Sequence, residues 1–465
     1  MSILATLSIA AQALKAQQLA IQSTGHNLAN AATPGFSRQT VDFVSAYPSF
    51  EGGVTLGQGV NVAGIQRAVD RFSEAELLNL HASSGYADAQ SQALNSIQVA
   101  FPTSGGIDAA LSGFFGAVAD LANNPAGTAE RISLIGKGNA LGQSLAQTRQ
   151  ILASQQKNLD QNLQGAGQKV NGLVAQIAGL NVQISSTEVA GQPANDFRDQ
   201  RQTLLQQLTQ LTGATVREDP TGQVSANVGG LLLVGGNRYA TLKTDTLNSA
   251  GLHVVTYQSP DGSSFDASSL FNQGEIGSLL NLRDSQLPST IDRLDQFAKT
   301  LVDQVNTQHG LGFDLTGAAG GNFFAPLSLI AGAAANVQVD NAIVADPRRI
   351  AAASDASAIP GDNRNAQALA GLQSTAFGAL GGLTLEDHLL ALVGDVGLQA
   401  QSADSQASFQ QALLTQTQAR RESVSGVNID EEMTKLIQFQ RAFESSSMLV
   451  RTADQMYQSL IEMVR

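Results

Sequence analysis

Both ends of this 465-residue chain carry a seven-residue apolar repeat, and that repeat limits the folds open to it. From Ile3 to Leu28 the row runs Leu7, Leu14, Ile21 and Leu28, with Ile3 and Ala10 starting an alternate row. A strict seven-residue spacing marks the narrow seam of a coiled coil, not the broad stripe of a helix lying on a globular core. It predicts a helix about 40 Å long. At the far end Ile429, Leu436, Phe443, Val450, Tyr457 and Val464 are spaced by seven, flanked by Phe439, Leu449, Ala453, Met456, Leu460 and Met463. Helices with seams this narrow gain their stability by packing. The two ends are therefore expected to pair, with Leu7, Leu14, Ile21 and Leu28 against Phe443, Val450, Tyr457 and Leu460. Separate docking of each helix on a globular core is the plainer alternative.

Between the ends the pattern changes several times. After Pro34-Gly35, Val41 alternates with Phe43, Val54 with Leu56, and Val60 with Val62 beyond Gly57-Gln58-Gly59, which predicts a hairpin or extended arm. Residues 68–100 read as helix, and a Gly- and Pro-containing loop leads to Phe114, Phe115, Val118 and Leu121. Leu159, Leu163, Ala166, Val170, Leu173, Ile177, Leu180 and Ile184 then step by four and three, as a long bundle helix does. Asp219-Pro220-Thr221-Gly222 has turn chemistry, and with the apolar run Leu231 to Val234 and the segment Leu252 to Tyr257 it predicts a small β-rich insert over 212–272. Helix resumes at Ile276, with a break expected at Pro288. Residues 309–365 read as loops and 385–422 as helix. The expected fold is mainly α with a β-rich insert. It has an inner domain of paired terminal helices with an extended arm (1–60 and 425–465), a discontinuous helical bundle (61–211 and 273–424), and a small outer domain (212–272) at the tip.

Composition excludes several kinds of chemistry. Charged residues are 14 % of the chain, with 26 Lys plus Arg against 39 Asp plus Glu and a net charge of −13. An acidic chain without basic clusters is unsuited to displacing counterions from phosphates, so no nucleic-acid partner is expected. The absence of cysteine removes disulfides, thiol nucleophiles and thiolate metal sites. No run approaches the roughly 18 apolar residues of a membrane span, and the opening residues lack the basic and apolar regions of a cleavable secretion signal. His26, His81, His253, His309 and His388 never share a metal-ligand spacing, so no metal and no cofactor is expected; His26 and His309 read as capping or solvated side chains. Gly136-Lys137-Gly138-Asn139-Ala140-Leu141-Gly142, with Ile132 to Ile135 before it and Asp160 beyond, resembles a dinucleotide loop. It runs straight into the heptad helix with no second strand, so a loosened helix start accounts for it, and an enzyme remains only as an alternative. Asp430-Glu431-Glu432 sits where negative charge complements a helix dipole.

The most informative string is Ala29-Asn30-Ala31-Ala32-Thr33-Pro34-Gly35-Phe36-Ser37-Arg38. Pro34 stops the helix and pushes Thr33 to an extended conformation, Gly35 permits a sharp turn, and Phe36 anchors the far side. On physical grounds it is a rigid corner between a coiled-coil helix and an arm. Ala29, Asn30, Thr33, Pro34, Gly35, Phe36 and Arg38 also fill every position of a motif similar to the N-terminal signature of the bacterial flagellar axial proteins. The block from Gly57 through Arg67, with Asp70 and Phe72, resembles the hook-associated members of that family. So do Asn123-Asn124-Pro125 with Arg131, Leu180 to Ile184, Asn195 to Arg201 and Pro360 to Asn363. Most specific is Ser425-Gly426-Val427-Asn428-Ile429-Asp430-Glu431-Glu432, leading to Leu436 and Phe443.

That resemblance implies a structural subunit of the hook–filament junction, exported through the flagellar type III apparatus and found outside the cell. It would assemble with itself as a ring, with the hook protein on one side and the filament-side junction protein on the other, and bind an export chaperone through its C-terminal region. The resemblance also implies paired terminal helices in an inner layer and a corner, Asn30 to Arg38, that sets the angle between layers. Another axial subunit, such as the hook protein or the filament-side junction protein, is the nearest alternative. A dinucleotide-binding enzyme and an adhesin-like binding module are the alternatives from other classes.

Overall fold

A computed structural model describes residues 3–51, 54–102, 105–219 and 221–464. The first helix, α1 (Ile3–Ala29), leads into the arm: β1 (Gln39–Ser45), β2 (Ser49–Glu51), β3 (Val54–Leu56) and β4 (Val60–Arg67). The arm is antiparallel, with β1 on β4 and β2 on β3, and a bulge between Asp42 and Phe43. Helices α2 (Arg71–Gln98), α3 (Ile107–Asn123), α4 (Thr128–Val189) and α5 (Asn195–Thr212) follow. The insert holds a four-stranded meander, β5 (Thr215–Glu218), β6 (Val224–Val228), β7 (Leu231–Gly235) and β8 (Arg238–Tyr239). It also holds a three-stranded sheet of β9 (Thr241–Lys243), β10 (Thr256–Gln258) and β11 (Ser264–Asp266), with β10 central. Then come α6 (Gly274–Asn281), α7 (Leu287–Gly310), the short α8 (Asn341–Ala345) and α9 (Arg364–Gly371), and the long α10 (Leu385–Ser425) and α11 (Ile429–Val464). Pro220, in the predicted turn, lies outside the described residues.

Local chemistry explains the boundaries. Asp70 caps α2 by accepting from the Phe72 amide at 3.0 Å. Thr384 caps α10, its Oγ1 accepting from the Asp387 amide at 3.1 Å and donating to Asp387 Oδ2 at 2.8 Å. The break expected at Pro288 is instead a π-helical turn, Leu282–Gln286, through which α6 passes into α7. A proline lacks the amide that an unbroken α-helix needs, and one wide turn absorbs the loss.

The core is continuous from Leu94 to Ala403 and contains no residue of α1 or α11. Its axis is α4, whose 62 residues span about 93 Å. The predicted seam Leu159, Leu163, Ala166, Val170, Leu173, Ile177 and Ile184 is buried, while Leu180 is half-buried. The insert, expected at the tip, lies along the second half of α4. Asn171 Nδ2 donates to the Leu242 carbonyl (2.8 Å), Asn181 Nδ2 to the Val224 and Gly236 carbonyls (both 3.0 Å), and Asp160 accepts from the His253 amide (3.0 Å). The first third of α4 is covered by the segment read as loops. Phe323, Phe324, Ala334 and Ile350 are buried there with little regular structure.

The glycine-rich string resembling a dinucleotide loop is helix interior. A Cβ on Gly142 would stand 2.1 Å from the Val337 carbonyl oxygen, and one on Gly138 would stand 2.9 Å from Val339. These glycines let the 323–339 segment lie directly on α4. Asp160, at the distance of a ribose contact, is held by buried Arg283 and the His253 ring, each at 2.6 Å. Arg131, one of the most buried side chains, gives its guanidinium to the carbonyls of Ile350 and Pro125, each at 2.6 Å, and burial lowers its pKa to about 10.

His309, expected to be solvated or capping, is completely buried. Its Nδ1 lies 2.7 Å from the Gly321 carbonyl, and its Nε2 accepts from the Ala351 amide at 2.9 Å. An acceptor at Nε2 requires the neutral ring, and burial holds its pKa below the ordinary 6.5. The unfolded state therefore takes up the proton first as pH falls, and stability is lost from about pH 6.5 downward to the depressed folded value. We expect acid titration monitored by chemical denaturation to show this loss, and His309→Gln to flatten its upper part. An unchanged slope in the variant would place the titration elsewhere.

Candidate functional site

The terminal helices pair antiparallel, with the end of α1 beside the start of α11: Asn27 Nδ2 donates to Glu432 Oε2 at 2.9 Å. The buried row on α1 is neither of the two seven-residue rows. Ala10, Ala16, Ala20, Ser23, Thr24 and Asn27 are buried, whereas Leu14, Ile21 and Leu28 are half-buried and Leu7 is 38 % exposed. On α11, Glu432, Ser446 and Ala453 are buried, with Leu436, Phe439, Ala442 and Val450 half-buried beside them. Phe443, Tyr457 and Leu460, expected to pack on α1, are exposed. A heptad reading favours the largest side chains, but the buried row of α1 consists of small ones, part of it turned to the arm, where Ser23 and Asn27 donate to the Gln39 carbonyl, and the leucines lie on the flanks. Leu4, Met448, Leu449, Met456, Ile461 and Met463 are exposed as well.

The pair meets the bundle at a polar joint. Asn30 Nδ2 donates to the His26 carbonyl (3.1 Å), and Thr33 Oγ1 lies 3.1 Å from Asn30 Oδ1. Ala29 and Pro34 are exposed at the corner. Gly35 takes a left-handed φ of 81°, and a Cβ there would stand 2.5 Å from Thr203 Oγ1, so both conformation and space demand glycine. Phe36 meets the His26 ring edge-on at 5.4 Å.

Beyond the corner, buried Asp199 of α5 accepts from the Ser37 amide and hydroxyl (2.9 Å each) and from Arg67 Nη1 of β4 (2.6 Å). Arg421 Nη2 of α10 donates to the Gly35 carbonyl and to Ser37 Oγ (3.0 Å each). Asn27 bonds the backbone of Gln39 in both directions at 2.8 Å, and Gln39 Nε2 reaches Asp196 at 2.6 Å. The C-terminal motif closes the joint. The Arg38 amide donates to the Ser425 carbonyl (2.8 Å), and the Arg38 side chain pairs with Glu431 (3.3 Å). Asn428 Oδ1 caps α11 through the Asp430 amide (3.0 Å). Gly426 and Val427 line a groove with Thr33, Pro34 and Phe36. Asp430 and Glu431 remain exposed at the helix start. Glu432, read as a dipole partner, is buried and bonded to Asn27 and Lys435.

The sequence alone gives no role to the block Asn195 to Arg201, nor to Asn27, Arg67 or Arg421, and it marks Ser37 only as part of the corner. Glu74 of α2 adds a further carboxylate whose sealed Oε1 has no hydrogen-bond partner. Desolvation raises its pKa, only partly offset by Arg67 and Arg421.

Two family models match the chain: the flagellar hook-associated protein FlgK helical domain over residues 94–324, and the flagellar basal body rod FlgEFG protein C-terminal region over 419–463. Flagellar hook-associated protein 1 of Escherichia coli is 27 % identical, over 96 % of this chain and 97 % of that protein. The protein of the same name from Bacillus subtilis is also 27 % identical, over 98 % and 97 %. The chain belongs to the flagellar hook-associated protein 1 family. The solved flagellar hook junction protein FlgK of Burkholderia pseudomallei superposes with a TM-score of 0.66 at 16 % identity, covering 76 % of this chain and 100 % of that one. That fold agrees with the mainly helical architecture and its β-rich insert. Among the described residues no group of side chains could hold a metal ion, and no helix is long and apolar enough to cross a membrane.

Two expectations follow for this family member. Asp199→Ala leaves Arg67 and Ser37 without their partner in the joint and should lower stability by roughly 3 kcal/mol. Proteolysis between residues 29 and 38 should accelerate, and cleavage at the wild-type rate would deny Asp199 that role. Glu74 titrates the opposite way to His309: its raised pKa means stability falls as pH climbs from about 4.5 through the folded value. Glu74→Gln should therefore be more stable than wild type at pH 8, as read from the midpoint of urea unfolding.

Proposed function

We propose that this chain is a structural, non-enzymatic subunit of the flagellar hook–filament junction, and that it assembles as a ring through its terminal helices. The observation carrying this reading is the division of labour between core and ends. The bundle completes its core without α1 and α11, while those helices keep Leu4, Leu7, Phe443, Leu449, Tyr457, Leu460 and Met463 at the surface. Large apolar side chains gathered on one exposed layer mark an interaction surface, and a paired-helix layer of this kind finds its partners in copies of itself and in similar axial subunits. The hook protein on one side and the filament-side junction protein on the other are the neighbours this reading assigns. The C-terminal helix is also the segment we assign to an export chaperone, since its apolar residues need cover before assembly. Location outside the cell, reached by type III export, belongs to the same reading. For an enzyme reading, the glycines of 136–142 would have to face a ligand, and Gly138 and Gly142 are occupied by Val339 and Val337.

Deletion of residues 1–30, or of 430–465, is expected to leave a soluble bundle that unfolds cooperatively but is absent from purified hook–filament fractions. Loss of cooperative unfolding in the truncated chain would show that the ends serve the core and would sink the proposal, as would normal incorporation of the truncated chain.

A further inference from the structure

The first turns of α10 carry an apolar face that the described residues leave uncovered. Leu390 and Val393 are 61 % and 37 % exposed. With Phe101, Ile107, Leu111 and Leu389 they line a cavity of about 310 Å³ between the start of α10, the segment following α2 and the start of α3. Gly394 and Gly397 share that face, because positions 390, 393, 394 and 397 fall in one sector of a helix with 3.6 residues per turn. A Cβ at either glycine would meet no atom within 4 Å. Glycine inside a helix is less stable than alanine, and packing within the chain supplies no reason for it here. Close approach of another backbone does.

The rim of this face is negative. Asp108 and Glu386 border the cavity; both are exposed, and neither has an ion-pair partner among the described residues. An exposed cation that forms no ion pair, Arg349, lies beside uncovered apolar side chains near the start of α4, where Asp346 already neutralises Arg348. Ile132 and Val344 are exposed there, on elements joined by the 347–349 turn that packs against both α4 and α8. In that turn Arg348 is held by Asp346 at 2.9 Å, whereas exposed Arg349 forms no salt bridge among the described residues and feels Asp346 only through space.

We propose that these two surfaces meet between neighbouring copies of this chain: the Leu390–Val393–Gly397 face of one copy receives the Ile132–Val344 face of the next, with Arg349 set against Asp108 and Glu386. The contact joins two different patches of identical subunits, the arrangement that generates a ring when its rotation closes. A chain of net charge −13 repels its own copies unless such opposite-sign patches face each other. The inference rests on the ring reading above and adds a residue-level lateral contact between bundles, separate from the terminal helices.

The test uses the full-length chain and charge reversal. Glu386→Arg and Arg349→Glu, each alone, are expected to reduce recovery in purified hook–filament fractions by about tenfold, and the double variant to restore it. Thermal unfolding midpoints should stay within a few degrees of the wild-type value, because both side chains are exposed and form no ion pair in the monomer, and only the helix-dipole attraction of Glu386 and the through-space attraction of Arg349 to Asp346 change. Wild-type recovery of both single variants, or a double variant no better than the singles, overturns the pairing. Loss with Glu386→Arg but not with Arg349→Glu also overturns it, by assigning the cavity to a different neighbour. Because the chain has no cysteine, Val393→Cys combined with Val344→Cys gives an independent readout. Oxidation of the assembled fraction should yield covalent multimers, and its failure to do so in a fraction that contains the chain counts against the contact. Absence of the wild-type chain from that fraction would instead refute the junction reading.

Discussion

The arrangement of this molecule depends on one buried carboxylate. Asp199 receives the Ser37 amide and hydroxyl and the Arg67 guanidinium, and Arg421 reaches the same serine from α10. Four segments distant in sequence, the corner after α1, the end of the arm, α5 and α10, are thereby held at one point. Hydrogen bonds to a charged group that is shielded from water are stronger than neutral ones. They are also directional, so the cluster fixes an angle as well as a distance. An apolar contact of the same area would stabilise the joint without specifying its geometry.

The terminal pair is built on the opposite principle. Along Ala10, Ala16 and Ala20 of α1, and Ser446 and Ala453 of α11, little apolar surface is available to bury. The pair's own contribution to stability is correspondingly small, and the polar contacts at Asn27, Gln39 and Glu432 decide where it sits. Such a layer is poorly stabilised within one chain and well suited to packing among many, because its large side chains remain free to be buried by neighbours. A strong seam of leucines between the two helices would have stabilised the monomer and left less apolar surface for assembly.

How much of this was legible in the sequence follows from what each signal measures. Periodicity located the bundle helix α4, both terminal helices and the strand content of the insert, because burial on one face leaves a repeat of 3.6 or 2 residues. It failed over 309–365, where Phe323, Phe324 and Ile350 are buried in irregular backbone held by single polar anchors. From the end of α7, Asn306 accepts from the amides of Phe323 and Phe324, and His309 accepts from the Ala351 amide. Anchors of that kind leave no repeat to detect. Periodicity also chose the wrong row of α1, since it scores side-chain size while helix approach depends on side-chain smallness. The corner and the C-terminal motif were visible as strings, but Asp199, which ties the corner to the arm and to α5, lies in neither. Its role arises only when the fold brings 37, 67, 199 and 421 together.

The glycines show the same limit and what structure adds to it. In sequence, Gly136 to Gly142 is the more suggestive string, and Gly394 with Gly397 attracts no notice. In the fold, Gly138 and Gly142 are accounted for by the Val339 and Val337 contacts that a side chain would obstruct. Gly394 and Gly397 have open space where a side chain would stand, beside leucine and valine that are left exposed. An unexplained cost to helix stability next to uncovered apolar surface is meaningful when both occur on one face, because each is relieved by the same event, the approach of another subunit. The joint fixes how the bundle stands on the terminal layer, so it also fixes whether the α10 face of one copy and the α4 face of the next can be presented to each other at the same height.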